Sequence, residues 1–375
     1  MIPVNSVVQC LRSSFMSKIN IIYGTNVTEM TCTLLRKSDV AKRLTAGMHV
    51  VIKPNLVVAK PAAEGAVTHP EVVEGIVLFL KENGIASITV AEGSWLGETT
   101  KRAFDRCGYS ALAKKYGIKL FDTKNDKVVK KTVGDLTLGV CETVLNADFL
   151  INVPVLKGHC QTTLTCCLKN MKGCIPDSEK RRYHNIGLHK PIAVLNTILK
   201  PHLHVIDSIC GDPTFEEGGN PVRTDRILIG TDPVLLDSYG ASLIGHDPHD
   251  IEYLRIAASL GIGKFFDANT EINELQPEMR PKTSTANQSH LVRQFTKYID
   301  EQNACSACYA ALICALRQLG SVSTKDGTIK IGQSFRDQKC TGLGVGNCCN
   351  GCNRYVPGCP PTAAQILEML RATGK

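Results

Sequence analysis

Eight of the 17 cysteines in this 375-residue chain fall in its last 71 residues. They read Cys305-Ser-Ala-Cys308, Cys314, Cys340, Cys348-Cys349-Asn-Gly-Cys352 and Pro357-Gly-Cys359-Pro-Pro361. Crowded thiolates repel one another unless oxidised or bound to metal, and a CxxC turn lets two sulfurs face one centre. Four-cysteine zinc and an iron-sulfur cluster both accept such spacing. The Cys-Pro step favours the cluster, because proline has no N–H and a fixed φ, so its turn packs closely on a sulfur-rich core. Gly342, Gly344 and Gly346 ahead of Cys348 let backbone N–H groups approach cluster sulfides. The expected centre is one oxygen-sensitive [4Fe-4S] cluster on Cys305, Cys308, Cys348 and Cys359. Cys352 and then Cys340 are the substitute ligands, with Cys349 a spare thiol.

A second chemical stretch lies mid-chain. Thr162, Thr165, Lys169 and Lys172 recur at spacings of three, four and three, which would place two hydroxyls and two ammonium groups on one face of a helix over 161–172. Lys157 and His159 precede it, and a helix start with such neighbours attracts a carboxylate or phosphate. A capped, solvated helix face is the rival reading. Cys160, Cys166, Cys167 and Cys174 read as small buried residues; on a helix the adjacent Cys166 and Cys167 diverge by about 100° and do not share an ion. Lys53, Asn55 and His69 add a lysine, an amide and an imidazole near the end of the first core strand. Asp207, Asp212, Asp232 and Asp237 gather near later strand ends, Asp232 as a helix cap. His184 reads as a proton donor, an anion ligand or simply an exposed side chain. Glu92-Gly-Ser-Trp-Leu-Gly97 is a weak phosphate-turn signal.

These residues must be held by a frame. Short β-branched runs alternate with helical segments from about 48 to 260, which predicts an α/β fold, a mostly parallel sheet with helices on both faces, plus a small C-terminal iron-sulfur domain. The expected strands are His49–Leu56, Ser87–Gly93, Asp148–Leu156, Leu203–Ile209 and Arg226–Asp232, with a strand-like Ile19–Tyr23 ahead of them. Their carboxyl ends carry the polar turns, where open α/β sheets bind ligands. Helices are expected over Pro70–Lys81, Glu98–Tyr116 and Thr362–Ala372, and a linker or surface excursion over Asn269–Asn287. The domain reading is an N-terminal extension 1–15, with Met16 as the real start, an α/β domain 16–290 and a cluster domain 291–375.

Composition narrows the partners. The formal charge of +8 is spread along the chain and only 5% of residues are aromatic, so stacking platforms for nucleic acid are scarce and a small anionic ligand explains the excess better. No run approaches the roughly 20 apolar residues of a membrane span, and no export signal is present, so the expectation is a reducing, cytoplasmic setting without membrane insertion. Flavin and nicotinamide fingerprints are absent from the sequence.

Val356-Pro-Gly-Cys-Pro-Pro361 resembles the cluster-binding end of the small subunit of complex I and of nickel-iron hydrogenases, over about a dozen residues. Val51-Ile-Lys-Pro-Asn55, Thr68-His-Pro70, Ile151-Asn-Val-Pro-Val-Leu-Lys157, Leu168-Lys-Asn-Met-Lys-Gly173, Val205-Ile-Asp-Ser208 and Thr231-Asp-Pro-Val-Leu-Leu-Asp237 together resemble the family catalogued as domain of unknown function 362, over about 48–265. That resemblance implies the α/β fold and an iron-sulfur appendage, and it marks Lys53, Asn55, His69, Lys157, Lys169, Asn170, Lys172, Asp207, Asp232 and Asp237 as motif positions. The chain departs from the usual pattern at His159, Cys166 and Cys167. The leading expectation is an oxidoreductase that reduces a small anion, with Lys157, Lys169, His69 and His159 catalytic and Lys53, Asn55, Thr165, Asn170, Lys172 and Asp207 holding substrate. An electron-transfer or partner-docking protein serving another redox protein, and a non-redox cluster or zinc-stabilised binding protein, stay open.

Overall fold

The computed structural model describes residues 18–281, 293–320 and 327–373. The expected extension 1–15, the Met16 start and the boundary near 290 lie outside the described residues. In chain order come β1 (Lys18–Tyr23), β2 (His49–Pro54), β3 (Ser87–Glu92) and β4 (Lys119–Asp122), the hairpin β5 (Val128–Val133) and β6 (Leu136–Cys141), then β7 (Phe149–Val153). A second, short hairpin β8 (Lys157–His159) and β9 (Thr163–Thr165) precedes β10 (Leu203–Gly211), β11 (Val222–Gly230) and β12 (Glu271–Leu275).

One eight-stranded sheet runs β12-β1-β11-β10-β7-β2-β3-β4. Only β11 opposes its neighbours, pairing antiparallel with β1 and β10, while the remaining pairs are parallel. The fold is therefore α/β with a mostly parallel sheet. Its central strands are buried along nearly their whole length, which explains why they read as continuous Val/Ile runs rather than as alternation. Pro70 opens the helix Pro70–Glu82, where its missing N–H costs nothing, and Val72, Val73, Ile76, Phe79 and Leu80 turn inward. Burying each such side chain stabilises by roughly 1.5–3 kcal/mol at most. β2 leads on to β3 and β4 on one side while β7 lies on the other, so the chain direction across the sheet switches between β2 and β7, and a crevice opens there at the carboxyl ends.

A small parallel sheet follows, β13 (Ile299–Glu301), β14 (Ile329–Ile331), β15 (Cys340–Val345) and β16 (Cys352–Val356), with helices Ser306–Leu319 and Ala363–Thr373. Leu312, Ile313, Leu316, Ile366 and Leu370 pack into one core that also takes in Phe215 from the large unit. Gln161 Nε2 donates to the Ala304 carbonyl at 2.8 Å, and the Arg317 guanidinium sits over the Phe215 ring. The small unit is thus anchored beside the end of β10 and the β8–β9 turn.

Three local expectations are corrected. The stretch 161–172 is not one helix: Thr162, Thr163 and Thr165 are β-branched, the His159 ring accepts from the Gln161 and Thr162 amides, and the chain folds back as β8–β9 before a short helix Cys167–Asn170. Glu98–Tyr116 is two helices, Thr100–Arg106 and Tyr109–Tyr116, broken where Gly108 takes a left-handed conformation at φ +83°. The 269–287 stretch contains β12, an edge strand pairing parallel with β1; residues 282–287 lie outside the described residues.

Candidate functional site

The carboxyl ends of β2 and β3, the β8–β9 hairpin and the residues after it enclose a cavity of about 120 Å³. Cys305 and Ala307 of the small unit form part of its wall, and Trp95, Leu96 and Val57 supply an apolar side.

Three of its lysines, Lys53, Lys157 and Lys180, are fully engaged. Lys53 Nζ donates to Pro54 O at 2.6 Å, Glu92 Oε2 at 2.8 Å and Asn170 Oδ1 at 3.2 Å, which uses all three of its protons. Glu92 in turn accepts from the Leu56 and Gly93 amides, and the pair is almost wholly buried, with Lys53 1% and Glu92 3% exposed. Lys157 Nζ donates to Asn55 Oδ1, to the Glu216 carbonyl and in a short contact to the Ala66 carbonyl. Burial, then the charge of Lys169, pulls Lys157 down to about 7. Asn55, Asn170 and Asn152 continue as a chain of buried amides to the Cys167 carbonyl. Lys53, Asn55, Lys157 and Asn170 therefore brace the crevice. Lys180, which sequence reasoning missed, does likewise by donating to Gly93 O, Ser94 O and Asp177 Oδ1. Its only signal was a helical i,i+3 pairing with Asp177.

Other groups on the cavity have no partner. Among the described residues, the side chains of Lys169 and Lys172 make neither a hydrogen bond nor an ion pair; Lys172 only overlies the Tyr183 ring at 5.8 Å. Burial lowers Lys169 to about 8, and burial with the charges of Lys169 and Lys180 drives Lys172 well below the usual lysine range. Thr165 Oγ1 and His184 Nδ1 are buried without partners. His184 is not an exposed loop residue: it sits in the helix Asp177–Asn185, 6% exposed, and burial favours its neutral form.

His159 and Glu216 form the opposite wall. His159 Nδ1 accepts two backbone amides, so its proton resides on Nε2, 3.4 Å from Glu216 Oε1. Burial first and Lys169 next hold the ring neutral. The Cys160 thiol donates to Glu216 Oε1 at 3.1 Å. His159, Cys160 and Glu216 bring ligand-type atoms within 4.8 Å of one another, a possible metal group, although a protonated Nε2 leaves that ring without a free lone pair. Glu216 was also missed; its signal was its place just after the polar turn ending β10.

His69 and Asp207 do not join the cavity wall. The Asp207 carboxylate accepts from the His69 amide at 2.7 Å and from its Nδ1 at 2.8 Å. Burial lowers the His69 pKa, but the charge of Asp207 and its hydrogen bond outweigh it and the net shift is upward. Asp232 caps its helix through the Val234 and Leu235 amides, as read from Asp232-Pro233. Asp237 accepts from the Cys167 and Leu168 amides, and Asp212 organises the 212–220 loop. The expectation that Cys166 and Cys167 diverge is corrected: Cys166 sits outside the helix with extended φ, and the two sulfurs lie 3.9 Å apart beside Asp237, a second possible metal group.

In the small unit Cys305, Cys308, Cys348 and Cys359 are free thiols, and Cys340 is joined to Cys352 in a disulfide. That bond removes both substitute ligands, and Cys349 is buried with its thiol on the Lys330 carbonyl. Burial, then Cys348 and Cys359, pushes Cys305 up to about 11, and Cys308 feels Cys305, Cys359 and Cys348 after its own burial. Donors face the sulfurs: Gln333 Nε2 approaches Cys305 Sγ and Arg336 Nη2 approaches Cys348 Sγ, both at 3.5 Å. A Cβ on Gly346, whose φ is +88°, would sit 3.5 Å from Cys308 Sγ, so this glycine keeps the space beside the sulfur open. The four thiols do not form one of the groups converging within 4.8 Å, whereas tetrahedral zinc would bring its sulfurs to about 3.8 Å of one another.

The sequence profile described as Domain of unknown function (DUF362) matches residues 50–242. The chain belongs to that family. This DUF362 member is 25% identical over 230 residues to a thylakoid-associated protein of Synechocystis sp., covering 58% of this chain and 69% of the relative. Among solved structures it is similar to the lactate racemase apoprotein from Thermoanaerobacterium thermosaccharolyticum, with TM-score 0.39, 14% identity and coverage of 60% of this chain and 57% of that one. A protein from Thermotoga maritima gives TM-score 0.40, 11% identity and coverage of 63% and 60%. The DUF362 chain thus spans less than two thirds of either solved relative. No helix among its described residues is long and apolar enough to cross a membrane.

Proposed function

We propose that this protein is an iron-sulfur oxidoreductase that reduces a small anion, with one [4Fe-4S] cluster held by Cys305, Cys308, Cys348 and Cys359. The observation that carries the reading is the position of Cys305, which lines the same cavity as the unpartnered Lys169 and Lys172. The donor set fits such a group: four free thiols, amide and guanidinium donors near two of them, and a glycine beside a third. When bound, that group supplies one-electron transfer.

The protein's own residues supply the rest. Lys169 and Lys172 bind the anion and offset negative charge that grows on it during reduction, in a site where charge is poorly screened. Held neutral, His159 can only orient a ligand through its Nε2–H, and Lys169 at about 8 is the acid suited to supply the proton, whereas His69 faces Asp207 elsewhere. Lys53 and Lys157 hold the walls. The exposed Cys359 leaves one side of the cysteine set open to a redox protein partner.

The test is a serine series purified anaerobically. Cys305→Ser, Cys308→Ser, Cys348→Ser and Cys359→Ser should each lose most of the iron, while the paired Cys340→Ser/Cys352→Ser variant keeps it. Full iron in Cys348→Ser, or its loss only in the paired variant, overturns the ligand assignment.

A further inference from the structure

The cavity wall holds a charge imbalance that identifies its ligand more closely than "anion". Lys53, Lys157, Lys169, Lys172 and Lys180 line it, against the carboxylates of Glu92 and Glu216. Glu92 answers Lys53 at 2.8 Å, and Asp177, just behind the wall, answers Lys180 at 3.1 Å. Glu216 is held by the Cys160 thiol and amide and by His159, and with Asp212 it offsets part of the charge of Lys157. Two ammonium groups have no partner in the structure, Lys169 and Lys172.

Polar groups that face a cavity without a partner are costly, and two half-buried ammoniums beside a buried, unpartnered hydroxyl suit a group that satisfies them. Beside these ammoniums lie Thr165 Oγ1, 3% exposed, and His184 Nδ1, 6% exposed, each without a partner. The geometry points to a small dianion, a dicarboxylate or a phosphate-type group, bound by Lys169 and Lys172 with the Thr165 hydroxyl completing its hydrogen bonds, rather than a monocarboxylate. This rests on the reading of the cavity as the substrate site and narrows it. Trp95 and Leu96 offer the ligand an apolar neighbour. Burial, with the charges of Lys169 and Lys180 adding to it at Lys172, pulls both lysines down, and a bound anion would oppose that shift.

The experiment is isothermal titration of the anaerobically purified, full-length protein at pH 7 with sodium sulfate, malonate and acetate, with iron and sulfide content determined on the same samples. Sulfate or malonate should bind at one site per chain, with acetate at least about tenfold weaker, a charge-assisted hydrogen bond being worth roughly 1.5–3 kcal/mol. Lys169→Gln and Lys172→Gln should each weaken dianion binding by at least about tenfold. Lys169→Arg, which keeps the charge, should recover part of the loss and guards against a merely misfolded variant. Sulfate better than malonate assigns a phosphate-type ligand, and the reverse a dicarboxylate. Equal binding of acetate, no binding of either dianion, or unchanged binding in both glutamine variants overturns the dianion assignment. The iron and sulfide content decides the cluster separately, so a failure of one leaves the other standing.

Discussion

The buried Lys53–Glu92 pair carries a quantitative prediction about which lysines are frame and which are site. Lys53→Met removes a cation from a place that is 1% exposed and leaves the Glu92 carboxylate with only the Leu56 and Gly93 amides. An uncompensated buried charge of this kind costs about 3–5 kcal/mol, a large share of the roughly 5–15 kcal/mol that hold a typical domain together. Glu92→Gln strands the ammonium on the Pro54 carbonyl and Asn170 and should cost a similar amount. The double variant removes both charges, so its loss should fall short of the summed single losses by about 2 kcal/mol or more. Gly173→Ala reaches the same pair differently, because its Cβ would lie 2.1 Å from Glu92 Oε1 and 2.5 Å from Lys53 Cε. Urea unfolding followed by Trp95 fluorescence reads these changes, Trp95 being the chain's single tryptophan and part of the cavity wall. Single variants losing under about 1 kcal/mol, or strictly additive losses, would refute the reasoning, since an exposed pair is worth no more than that.

The remaining predictions are shorter. Sulfate affinity should fall as pH rises through about 8, because Lys169 is charged below that pH and neutral above it, and sulfate keeps its charge throughout. The other charged groups facing the site are the Lys53–Glu92 pair, Lys157, Lys172, Lys180 and Glu216, with His159 and His184 neutral across this range; affinity flat from pH 6 to 10 in a titration series would contradict this. Asp232→Ala should cost about 1–2 kcal/mol by freeing the Val234 and Leu235 amides at the start of their helix, measured as a shift in urea midpoint at unchanged slope. Gly344→Ala should disrupt the small sheet, its Cβ falling 2.5 Å from that of Cys349, and should show as lost solubility or lost iron while Trp95 fluorescence stays native-like.

The parallel strands were legible because each is a continuous apolar run, and their carboxyl-end turns located the crevice before any coordinate did. The β8–β9 hairpin was not: Thr162, Thr165, Lys169 and Lys172 fit a helical period, and only the threonine β-branching spoke against it. The helical picture still named Thr165, Lys169 and Lys172, all of which face the cavity, though on a hairpin and a short helix instead of one face. Family motifs marked Lys53, Asn55, Lys157 and Asn170 without distinguishing a brace from a ligand, since that difference lies largely in partners up to 117 residues apart. Glu216, Lys180 and the inward turn of His184 depend on loops packed by distant contacts, which periodicity does not encode. Among the cysteines, spacing favoured Cys348 and kept Cys352 as its first substitute, and the Cys340–Cys352 bond takes that substitute away.

The most direct measurement is iron and acid-labile sulfide per chain in anaerobically purified protein, with electron paramagnetic resonance before and after dithionite. About four irons and four sulfides, with a signal appearing on reduction, is the expected result. Zinc without sulfide would contradict it, leaving a zinc-stabilised protein whose chemistry must reside in the lysine cavity alone.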